Sequence, residues 1–130
     1  MAVSRKRVVG EESGVVAVEF AIISTILFLL IFGIIEFGRT YSQYEVLQGA
    51  AREGARRAAV GATPSQVQSA VDDAADPYKP TTTPSVDKQC TQDTVGDPVT
   101  VSWNQTFDIE IPFMPPAHVT RTIKGVFRCE

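Results

Sequence analysis

A chain of 130 residues has room for one small domain and an anchor, and its net charge of −3 argues against recognition of nucleic acid through a basic face. A single histidine, His118, and two widely separated cysteines leave no zinc-ligand spacing and no base for a catalytic thiolate, so no metal, no cofactor and no enzymatic activity are expected. The hydrophobic fraction of 44% is ordinary for a soluble domain, but the apolar residues are concentrated in one block.

Residues 1–14 carry Arg5, Lys6 and Arg7, then Glu11, Glu12, Ser13 and Gly14, without apolar periodicity, and read as a basic targeting or processing leader. The segment 15–38 is nearly all apolar. As a helix, Val15–Phe37 is about 34 Å long at ~1.5 Å per residue, enough for a hydrocarbon core of ~30 Å. A cleaved secretory signal would have a shorter apolar region and end in a small-x-small site, whereas this block ends in Ile35-Glu36-Phe37-Gly38-Arg39. One residue contradicts the apolar character. Glu19 lies near the start of the block, where an unpaired carboxylate costs ~2.5 kcal/mol or more.

Orientation is open on charge alone, because Arg5, Lys6 and Arg7 on one side face Arg39, Arg52, Arg56 and Arg57 on the other. Cys90 and Cys129 favour a C-terminal part outside the cytoplasm, where a disulfide is the expected state against two free thiols.

The helix is expected to continue through 39–62 as a stalk, since Arg39–Val60 has no proline and is rich in helix formers. Phe37, Tyr41, Tyr44, Leu47, Ala51, Ala55 and Ala58 recur at helical spacing along one stripe, with Arg39, Gln43, Glu53 and Arg56 elsewhere around the axis. Gly33 and Gly38 in the anchor, and Ala51, Gly54 and Ala55 in the stalk, are candidates for close helix packing. Exposed pairs are expected between Glu36 and Arg39 and between Glu53 and Arg56 or Arg57.

Gly61 should end this helix, and Thr63-Pro64-Ser65-Gln66 predicts the start of a second through a capping box with proline at the first position. Val67, Ala70, Val71 and Ala74 give its expected buried face, ending before Pro77. Asp72, Asp73 and Asp76 read as a solvated face rather than a calcium site, because no calcium loop surrounds them. Pro77, Pro80 and Pro84 predict an extended, irregular segment.

Alternation then predicts strands over Val99–Trp103, Phe107–Ile111 and Val119–Cys129, with Arg121 breaking the last apolar parity and a fourth strand conceivable at Val86–Cys90. Asn104-Gln105-Thr106 is taken as a loop between two of them, despite matching a glycosylation acceptor, and His118 as a surface loop residue beside Pro115 and Pro116. Trp103 is expected in the core. The expectation for 63–130 is a small extracytoplasmic α+β domain: a short helix and a small antiparallel sheet with one face covered by helix, stapled by Cys90–Cys129.

Taken together, the chain resembles the TadE-like minor pseudopilins of tight-adherence (Tad/Flp) pilus systems. The resemblance rests on Glu12-Ser13-Gly14 followed by Val15-Val16-Ala17-Val18-Glu19-Phe20, then Phe32-Gly33-Ile34-Ile35-Glu36-Phe37-Gly38-Arg39 and Gly49-Ala50-Ala51-Arg52-Glu53-Gly54-Ala55-Arg56. It implies a type IV pilin-like long N-terminal helix and cleavage between Gly14 and Val15 by a prepilin peptidase on the cytoplasmic side, which would take the net charge from −3 to −4. Glu19 then becomes the fifth residue and Phe20 the sixth, where a major Flp pilin usually has tyrosine. That difference and the larger C-terminal part point to a minor subunit.

The implied partners are the prepilin peptidase, other pilins and pseudopilins, an inner-membrane assembly platform and the lipid bilayer. The implied location is the bacterial inner membrane, single-pass, with the N-terminus cytoplasmic, or the pilus fibre or its tip. The competing reading is an uncleaved single-pass protein whose outer domain binds an envelope or surface partner.

Overall fold

The computed structural model describes residues 11–130, with side-chain environments from Gly14 onward. Most of the expected leader therefore lies outside the described residues. One helix dominates the architecture. Helix α1, Glu11–Ala59, runs unbroken for 49 residues, about 74 Å at ~1.5 Å per residue. The glycines at 14, 33, 38, 49 and 54 lower its intrinsic propensity without interrupting it.

Helix α1 ends in a Schellman arrangement. The Gly61 N–H donates to the Ala58 carbonyl at 3.1 Å and the Ala62 N–H to the Arg57 carbonyl at 3.2 Å. Gly61 supplies the left-handed φ of 81° that this turn requires. Helix α2, Pro64–Ala75, follows at once, with the expected capping box: Gln66 N–H donates to Thr63 Oγ1, and Thr63 N–H donates to Gln66 Oε1 at 2.9 Å. Its buried face is Val67, Val71 and Ala75, an i, i+4, i+8 line. Ala70 is only half-buried and Ala74 exposed, so the buried face is narrower than the stripe read from sequence.

The sheet is antiparallel in the order β1-β2-β3: β1, Ser85–Val86; β2, Pro98–Ile109; β3, Ala117–Arg128. The two strands expected over 99–111 are a single strand, because Val99, Val101, Trp103, Phe107 and Ile109 all share one parity. Asn104-Gln105-Thr106 lies within that strand and not in a loop. The position that hid this is Gln105, a polar residue 2% exposed in the middle of an apolar face.

Gln105 bonds in three directions. Its Oε1 accepts from Trp103 Nε1 at 3.1 Å and from the Thr81 N–H at 2.9 Å, and its Nε2 donates to the Lys79 carbonyl at 3.4 Å. Thr82 Oγ1 adds a bond to the Asn104 carbonyl at 2.9 Å. The proline-rich segment is thus fastened to β2 by side chains before β1 begins, satisfying backbone groups that have no ladder partner.

One face of the sheet lies on the C-terminal half of α1. Leu47, Ala51, Ala55 and Ala58 from the helix meet Val99, Val101, Trp103, Phe107 and Ile123 from the strands, with Val67 and Val71 of α2 completing the core. Two glycines set the spacing. At Gly54 a Cβ would collide with Val71 Cγ2, and at Gly125 it would collide with the Ala51 carbonyl and the Arg52 nitrogen. Gly125 therefore lets β3 rest on the backbone of α1. At the far end of the domain the Cys90–Cys129 disulfide ties the chain before β2 to the chain after β3. The Glu130 N–H donates to the Ala59 carbonyl there at 3.0 Å.

Candidate functional site

The helix divides into two environments. From Leu47 onward one side is buried against the domain, whereas Val15, Val18, Phe20, Ile23, Ile34 and their apolar neighbours all stand open. None of the most apolar stretch is buried. Among the described residues nothing covers this apolar surface, which is long and apolar enough to cross a membrane.

Gly14 and Glu19 lie on this bare part of α1, both exposed, and a Cβ at Gly14 would meet nothing within 4 Å. Glu19 lies one turn C-terminal to Val15, and helical side chains lean toward the N-terminus, so its carboxylate is carried toward the Val15 end. Gly33 and Gly38 are likewise free of contacts, leaving two smooth points on the exposed helix. Ala51, Gly54 and Ala55, by contrast, are buried inside the chain against the sheet and α2. Their close packing serves the chain's own domain.

A second cluster marks the junction between anchor and domain. Glu36 accepts from Arg39 Nη2 at 2.7 Å and from the backbone N–H of Glu110 at 3.3 Å, so one carboxylate joins α1 to the end of β2. Just beyond it a groove of about 520 Å³ opens between α1 and the sheet, lined by Phe37, Tyr41, Tyr44, Phe107, Val119 and Arg121 among others. Tyr44 and Phe107 close its inner end, with ring centroids 6.2 Å apart. The Glu45 carboxylate beside Tyr41 holds that phenol above its ordinary range, chiefly by its charge.

Arg121 has inward parity opposite Gln105 but is exposed at this groove, which accounts for the break it makes in the apolar pattern. His118 lies in β3 and not in a loop, and its Nδ1 is 2.6 Å from Asp108 Oδ1 across the hairpin. Asp72, Asp73 and Asp76 are exposed. Among the described residues no three His, Cys, Asp or Glu side chains are grouped to hold a metal ion.

A bare apolar helix that becomes the packing spine of a small disulfide-stapled α+β domain fits a single-pass membrane protein. Residues 14–56, within α1, match the family of TadE-like proteins. The match leaves α2 and the sheet outside its span. Neither the curated proteins nor the solved structures give a match.

Proposed function

We propose that this chain is a minor pseudopilin that takes part in assembly or initiation of a Tad-type pilus, and so in adhesion and surface attachment. In this reading a prepilin peptidase removes residues 1–14, and Val15 becomes the N-terminus of a helix that leaves the bilayer for a bundle of pilin helices on an inner-membrane platform. The observation that carries the reading is Glu19 on an uncovered apolar helix, one turn from Val15, in a segment whose TadE-like match begins at Gly14.

Cleavage removes the contradiction of that carboxylate. The new α-amine, with an ordinary pKa of ~8, is mostly protonated at neutral pH. At ~4 Å and an effective dielectric of ~20, pairing with a carboxylate is worth up to ~4 kcal/mol before desolvation is subtracted. The partner amine belongs to the same chain or to a neighbour, and pairing between neighbours would set the axial register of subunits. The free N–H groups of the new helix end favour the same negative charge.

In the native host, Gly14→Arg should accumulate full-length precursor in the membrane. Glu19→Ala should be cleaved normally but should incorporate poorly. Normal pilus assembly by Glu19→Ala cells would remove the register role. The uncleaved single-pass alternative requires instead that Gly14→Arg changes nothing.

A further inference from the structure

We propose that the tip of the β2–β3 hairpin, Ile111–Pro116, seats in the interfacial layer of the bilayer that α1 crosses, so that the subunit meets the membrane at two points. The inference rests on reading α1 as membrane-spanning and adds a contact which that reading does not require.

Position comes first. Gly125, paired with Val101, lies against Ala51, while the Glu110 N–H reaches Glu36. The strand β2 therefore runs toward the N-terminal, apolar end of α1, and the chain beyond Glu110 continues in that direction from the level where the apolar block ends. Phe113 is three residues further on, a reach of at most ~10 Å at ~3.3 Å per residue. That distance matches the ~5–10 Å to which interfacial segments bury their apolar faces.

Composition and conformation agree with position. From Ile111 to Ala117 there is no charged side chain. Phe113 is 95% exposed and Met114 60%. Phe113 has φ 66°, a region that aromatic residues rarely adopt, in a turn closed by the Met114 N–H donating to the Ile111 carbonyl at 3.1 Å. Pro112, Pro115 and Pro116 have no N–H, so few backbone donors need to be desolvated when the tip enters lipid headgroups. Just behind the tip, Glu110 and the Asp108–His118 pair are exposed and polar, which limits the depth of insertion.

The test uses the full chain in vesicles of phosphatidylethanolamine and phosphatidylglycerol, with acyl chains either plain or brominated. Single Phe113→Trp and Met114→Trp variants are read as the emission added to that of Trp103. Leu27→Trp serves as a probe within the helix, and Val95→Trp as an exposed probe at the opposite end of the domain. The expected result is blue-shifted added emission from both tip probes, most of it lost in brominated lipid, with Val95→Trp unshifted and unquenched. Quenching at Leu27→Trp without quenching at either tip probe overturns this inference and leaves the anchor intact. Tip emission that is blue-shifted but not quenched means that protein covers the tip, and overturns it as well. A Leu27 probe that is not quenched overturns the membrane reading together with it.

Discussion

Gly125→Ala tests how the domain is mounted on the helix. The added methyl would land within the Ala51 peptide group, and the obstacle is helix backbone rather than the movable end of a side chain. Restoring an ordinary separation of ~3.5 Å requires β3 to lift away from α1 and loosens Ile123 and Val101, both fully buried beside it. Overpacking costs ~1–3 kcal/mol and sometimes more, and a backbone obstacle places this case near ~3 kcal/mol. That is roughly a hundredfold in the folding equilibrium. The full chain in detergent can be unfolded with urea while the single, buried tryptophan, Trp103, reports the domain.

Gly49→Ala is the matched control, because a methyl there meets nothing within 4 Å on an exposed helical face. It should stabilise the chain by ~0.5–1 kcal/mol through helix propensity. A Gly125→Ala chain with the wild-type midpoint would refute the contact between β3 and the backbone of α1.

Gln105→Leu should cost about 2 kcal/mol in the same assay, since it strands the buried Trp103 Nε1–H and removes the acceptor of the Thr81 N–H, and amide exchange at Thr81 should quicken. Replacing Cys90 and Cys129 together by alanine should cost up to ~4 kcal/mol, from a closed loop spanning 39 residues. In the wild-type chain, alkylation without reductant should leave both cysteines unmodified, and labelling of both would contradict the staple.

The helical half of the molecule was legible in the sequence because its signals are local. An apolar block followed by an alanine stripe gives α1, Gly61 its end, and Thr63 with Gln66 the start of α2. The strand boundary at Asn104–Thr106 was not legible, because a polar triplet between two apolar runs ordinarily marks a turn. Only the partners of Gln105, supplied by Thr81 and Lys79 some 24 to 26 residues earlier, make it a strand residue.

The packing glycines follow the same division. Gly54 is recognisable as a small residue at helical spacing, but which surface it admits depends on α2 folding back over α1. Gly125 carries no sequence signal at all, since its role exists only where β3 crosses Ala51. The exposed apolar residues of α1 were visible as residue types. What sequence could not supply is that Glu110 lies beside Glu36, which brings the hairpin tip to the anchor end of the domain.

The most direct measurement is the N-terminal sequence and intact mass of the protein recovered from its native host. Processing predicts a chain that starts at Val15, with Glu19 as its fifth residue. A chain that retains residues 1–14 in assembled pili would contradict both the cleavage and the pairing of Glu19 with a new N-terminus.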